Sequence, residues 1–103
     1  MIHNMKRNIK KKSKYRHVVV GKKKYYFYTI KWYDILGNSG HSDFNEMKKM
    51  EPAIMVTQAY VFEKNKKKVV TFASHDINEE SFSDSNSIPI GCIISMKKAE
   101  IWK

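Results

Sequence analysis

One cysteine, two prolines and four glycines are all this chain of 103 residues offers of the types that most often pin or bend a backbone. The lone Cys92 excludes an internal disulfide; it fits a reducing interior and reads as a small buried residue. No apolar run approaches the roughly 20 residues that a helix needs to cross a bilayer. No apolar stretch follows the N-terminal charges, so no secretory signal is expected. A phosphate loop is missing too, because Gly37-Asn38-Ser39-Gly40 has neither the length nor the lysine of one. His3, His17, His41, His75 and Cys92 lack metal-ligand spacing, so neither a metal nor another cofactor is expected.

Acid is also missing, but only locally. The first 24 residues carry ten basic side chains and no carboxylate, whereas residues 25–103 hold ten lysines and ten acids. The whole net charge of +10 therefore sits in the first quarter of the chain. Residues 1–14 read as a flexible basic arm, since its lysines repel and Asn4 and Asn8 are weak helix formers. Residues 15–103 read as one small domain, neutral on balance and long enough for a single modest core.

Aromatics are plentiful, and six of the thirteen fall within residues 25–34, Tyr-Tyr-Phe-Tyr-Thr-Ile-Lys-Trp-Tyr-Asp. In a strand, Tyr26, Tyr28, Ile30 and Trp32 share one side, the expected core side. Tyr25, Phe27, Thr29, Lys31 and Tyr33 share the other. Before this strand, residues 15–20 predict a shorter one, joined by a turn at residues 21–24 into a hairpin with a basic tip. After it, Gly37 and Gly40 fit an irregular loop. Asp43 with Glu46 predicts a capping box opening a short helix over about residues 43–50, with Phe44, Met47 and Met50 as its apolar edge and Pro52 as its stop.

Residues 54–63 are apolar at most positions and predict a central strand. The polar turn at residues 64–67 returns the chain as a strand over residues 68–74. The acidic, serine-rich residues 75–87 are expected to be a long mobile loop. A short strand and tight turn follow at residues 88–91, a closing strand at residues 92–96, and Trp102 is expected to fold back on the core. Five to six strands with one helix predict a mainly β fold, a small, strongly bent antiparallel sheet or, as first choice, its closure into an SH3-like or Sm-like barrel. An open α+β sheet with the helix on one face is the second choice.

The motifs Lys31-Trp32-x-Asp34, Ser39-Gly40, Glu51-Pro52-Ala53, Ala73-Ser74-His75-Asp76 and Ile88-Pro89-x-Gly91-Cys92-Ile93 resemble a family of small hypothetical proteins of tailed bacteriophages. The likeness covers roughly residues 28–98 and leaves out the basic arm. It implies a phage accessory protein in the cytoplasm of an infected bacterial host. It implies no activity.

The basic arm and hairpin tip are the main functional signal. Lys10, Lys11, Lys12, Lys14, Arg16, Lys22, Lys23 and Lys24 could neutralise phosphates and release counterions, so nucleic acid or a nucleoprotein complex is the expected partner. An acidic protein surface or a purely solubilising role is the plainer account. Tyr25, Phe27 and Tyr33 are the expected contact face, for stacking bases or for docking on a host protein. Ser74-His75-Asp76 names a triad without its geometry, because neighbours in a strand point to opposite faces. Asp34, Ser39, His75 and Asp76 would border a small-ligand or nucleotide site only if their loops meet. The expected class is a non-enzymatic binding module with no membrane contact. Its alternative is an inhibitor docking on a host protein through the sheet or an edge strand.

Overall fold

A computed structural model describes residues 14–78 and 80–101 of the chain. The aromatic run forms the longest element, β2 (Lys23–Asp34), and three other strands use its two edges. On one side it pairs with β3 (Ala53–Lys64), in the register Phe27 to Tyr60 through Asp34 to Ala53. Its other edge is divided between β1 (His17–Val20), opposite Lys23 to Tyr26, and β6 (Ile93–Lys98), opposite Tyr28 to Trp32. The backbone of Phe27 ties that seam together: its N–H donates to Arg16 and its carbonyl accepts from Ala99, at 3.0 and 2.9 Å.

From β3 the sheet continues through β4 (Lys68–Asp76) to β5 (Ser81–Pro89), all antiparallel. A 3-10 turn, Ile90–Cys92, then takes the chain from the β5 edge to β2, where β6 pairs. No ladder joins β5 to β6 among the described residues, so the sheet is open and not a closed barrel. The fold is mainly β, as expected, and of the two expected architectures the antiparallel sheet is the one that forms. No described helix is long and apolar enough to cross a membrane.

Two buried clusters hold the sheet. Ile30, Val69 and Ile88 are sealed by Tyr28, Trp32, Val61, Ile93 and Met96, with Cys92 half-buried beside them. Val20, Tyr25 and Phe72 form the other, under Val18, Tyr60 and Phe82. Both lie where three or more strands overlap, because only there does a side chain meet neighbours on several sides. In β4, Val69, Thr71 and Phe72 are buried, and the Thr71 hydroxyl has no hydrogen-bond partner.

The acidic, serine-rich stretch corrects one expectation. Residues 75–87 are mostly not a loop: β5 occupies Ser81–Pro89, joined to β4 by a tight turn in which Asp76 Oδ1 accepts from Asn78 N–H at 2.7 Å. Aspartate and asparagine are depleted in strands, but at this edge β4 supplies the ladder and only Phe82 and Ile88 need cover. β3 lies between β2 and β4 as the expected central strand, although its first half is exposed, with Ile54 at 60%. β4 reaches back only to Tyr60, which leaves residues 53–59 paired on the β2 side alone.

The helix α1 (Phe44–Lys48) carries the expected capping box, Glu46 N–H to Asp43 Oδ1 and Asp43 N–H to Glu46 Oε1, each 2.8 Å. Its expected apolar edge packs on nothing: Phe44 is 74% exposed and no helical residue is buried. The expectations for the arm before Lys14 and for Trp102 fall outside the described residues.

Candidate nucleic-acid interface

Residues directly opposite in a ladder share a face of the sheet. The β1–β2 and β2–β6 registers therefore place His17 beside Tyr26 and Tyr28 beside Lys98. Just before β1, Tyr15 bridges Glu100, just after β6. The result is a cation set among rings. Lys98 Nζ lies 4.4 Å from the Tyr26 ring centroid, 4.8 Å from Tyr15 and 5.9 Å from Tyr28. The His17 ring meets Tyr26 edge-on at 5.7 Å, and its Nδ1–H donates to the Tyr15 carbonyl at 2.9 Å. All four ring residues are half-buried, so each keeps part of its surface in water.

The neighbouring cations divide between rings and water. Arg16 lays its guanidinium 3.9 Å above the Phe27 ring and 5.9 Å from Tyr60, while Phe27 and Tyr60 meet edge-to-face at 5.0 Å. Lys14 stands 5.3 Å from the Tyr15 ring and 3.8 Å from the Glu100 carboxylate, both side chains being solvated. That is the one ion pair among the described residues. Rings attract cations through a quadrupole and do not cancel their charge, so Arg16 and Lys98 are held in place with their charge intact.

At the hairpin tip, Val20 pairs with Lys23 across two residues, and Gly21 alone takes positive φ, +67°. That is the II′ pattern, with glycine at its first central position. The tip presents Lys22, Lys23 and Lys24 to solvent as expected, with Lys23 Nζ 5.9 Å from the Tyr25 ring. The Glu80 side chain rests against Gly21. Of the expected phosphate contacts, Lys14, Arg16, Lys22, Lys23 and Lys24 are thus near the β1–β2 hairpin. Lys10, Lys11 and Lys12 lie outside the described residues.

The expected contact face does not assemble. Tyr25 is only 7% exposed, in the core against Phe72. Phe27 is covered by Arg16. Tyr33 is 46% exposed but at the far end of β2, beside an apolar recess of about 410 Å³ lined among others by Leu36, Met50, Pro52 and Cys92. The twist and pairing of β2 assign burial by position along the strand as much as by parity, which is why alternation alone misplaced these rings.

Nor do the expected ligand loops share that recess. Asp34 lines it and accepts from the Ile35 N–H at 2.8 Å, but no residue of the β4–β5 turn does. Ser39 is exposed, His75 sits edge-on to Phe72 at 6.2 Å, and Asp76 caps its own turn. Ser74 Oγ donates to Asp84 at 3.0 Å, so Ser74-His75-Asp76 forms no relay. No group of three or more metal-ligating side chains gathers among the described residues.

Lys98 is not singled out by reading along the chain, and Tyr26, expected on the core side, is half-buried and joins the cation site instead. A lysine pair after the closing strand was the available signal, but only the β2–β6 register shows that one of the two faces the tyrosines. No family model, curated protein or solved structure matches the chain.

Proposed function

We propose that the protein is a non-catalytic accessory module, of the phage type that residues 28–98 resemble, which binds nucleic acid or a nucleoprotein complex. One observation carries this reading. Cations at the β1–β2–β6 junction are positioned by half-exposed rings and, Lys14 apart, are not paired with carboxylates among the described residues. The chain leading into this junction contributes Lys10, Lys11 and Lys12 directly before it in sequence. Lysines supply affinity by releasing counterions, and rings with an open face supply stacking for unpaired bases. The test replaces Lys10, Lys11, Lys12 and Lys14 with Ala and measures retention on immobilised DNA and RNA at low salt. Loss of most retention is expected; unchanged retention overturns the proposal.

A second reading, docking on a host protein, is favoured by a different observation. The far end of β2 and β3 exposes Tyr33, Ile54 and Val56, the loop after β2 exposes Leu36, and the helix exposes Phe44 and Met47. Pull-down from bacterial lysate separates the two. A partner that survives nuclease treatment and deletion of residues 1–13, and is lost on Ile54→Asp, supports docking there. Retention that vanishes with nuclease supports nucleic acid.

A further inference from the structure

The two lysine-rich hairpin tips lie on opposite sides of one aromatic cluster, with Lys23 over the Tyr25 ring that stacks on Phe62 and Lys68 at the start of β4. The β1–β2 tip with residues 22–24 meets the β4–β5 turn, where Glu80 rests on Gly21, whereas Lys64, Lys66, Lys67 and Lys68 surround the β3–β4 turn at the other end of β4. Between them the sheet opens a recess of about 170 Å³, lined by Phe62, Val70, Thr71, Phe72, Phe82 and Ser85. The ladder explains why Phe62 stands there. Val61 pairs with Thr71 and Glu63 with Val70, so Phe62 is the extra residue of a β-bulge, the device that re-aims a side chain out of register.

Its ring is 39% exposed and still fixed on two sides, parallel to Tyr25 at 5.5 Å and edge-on to Phe82 at 5.1 Å. Phe82 in turn meets the buried Phe72 at 4.7 Å. The walls are therefore rigid aromatic surfaces anchored in the core, and the mouth is open.

Carboxylates near the two tips are few. Glu63 accepts from Asn65, Asp84 from Ser74, and Glu80 rests on Gly21, against seven lysines. The larger recess beside Tyr33 is of opposite character, bordered by Asp34 and Glu51, which would repel a phosphate backbone.

We infer that the Phe62–Phe72–Phe82 recess takes one unpaired nucleobase of pyrimidine size, with the adjoining phosphates on the lysines of the two tips. The inference rests on the nucleic-acid reading above and narrows its ligand to a single strand. The size is suitable: a cavity of about 150 Å³ is enough for a benzene ring. Stacking on rings needs no particular base, and the polar edge of the base stays in water at the open mouth.

The test uses the full chain and fluorescence anisotropy with two labelled oligomers of equal length, oligothymidine and an abasic deoxyribose-phosphate strand. Oligothymidine is expected to bind at least about fivefold more tightly, from stacking of one base. Phe62→Ala should weaken oligothymidine binding by at least about fivefold and leave abasic binding unchanged, while Phe62→Tyr should retain the affinity. Ser85→Leu, which fills the recess from the exposed edge strand, should act as Phe62→Ala does and covers the case in which that variant fails to fold. Equal, measurable binding of both oligomers to the unaltered protein overturns the recess and leaves the nucleic-acid reading standing. Binding of neither overturns both.

Discussion

Glu100 is the carboxylate that competes with a phosphate for Lys14, and removing its charge tests the proposed interface in the direction of gain. In Glu100→Gln the ammonium 3.8 Å away loses its partner, while the amide keeps the side chain's size. Both groups are solvated, so bulk dielectric applies. A phosphate held about 6 Å from the former carboxylate is relieved of about 0.7 kcal/mol of repulsion, or about threefold in affinity. Lys14 also becomes free to neutralise one phosphate, which steepens the plot of log affinity against log salt by about 0.7 for a single strand.

The assay is anisotropy of labelled oligothymidine between low and physiological salt. Glu51→Gln, on the loop between α1 and β3, serves as a control of equal net charge. The gain should shrink as salt rises and disappear near molar salt, where the screening length is about 3 Å. Melting should change little, since an exposed ion pair contributes at most about 1 kcal/mol. Unchanged affinity and slope in Glu100→Gln, or an equal rise in both variants, would refute a local role for Lys14 and this junction.

Thr71→Val should stabilise the fold by about 1 kcal/mol, because it exchanges a buried hydroxyl without a partner for a methyl of like size. Chemical denaturation measures it, and a loss of stability would mean that the hydroxyl does make a hydrogen bond. Asp43→Ala should leave global melting unchanged, since the helix it caps buries nothing. The Glu46 amide, bonded to Asp43 Oδ1, should nevertheless exchange about fivefold faster, as loss of about 1 kcal/mol of capping implies. A clear drop in melting temperature would show that the helix packs on the sheet.

The features legible in the sequence are those in which local chemistry is sufficient. The run at β2 has no other use for so many β-branched and aromatic side chains, and the Lys-Asn turn at residue 65 closes a hairpin by itself, with Asn65 Oδ1 accepting from Lys67 and Lys68. The capping box is likewise a pattern of four residues. β5 was illegible because its strand state comes from β4 and not from its own serines. Lys98 was illegible as a site residue because its neighbours, Tyr15, Tyr26 and Tyr28, come from other strands and are assembled only by register.

These aromatics support the proposed role of β2 beyond its core. Tyr25, Phe27 and the pair Tyr26 and Tyr28 each stand near a cation brought by a different part of the chain: Lys23 from the tip, Arg16 from before β1, Lys98 from β6. A carboxylate in any of those places would hold the cation as firmly and cancel its charge. A ring orders the long side chain, removing some of the rotamer freedom that phosphate binding would otherwise have to remove, and leaves the charge for the ligand. Ordering without neutralisation is of no evident benefit to a solubilising surface, where mobile lysines serve equally well. It is of direct benefit to a surface that must meet a chain of phosphates, and this is why the tyrosine-rich strand and the uncompensated cations are best understood as one device.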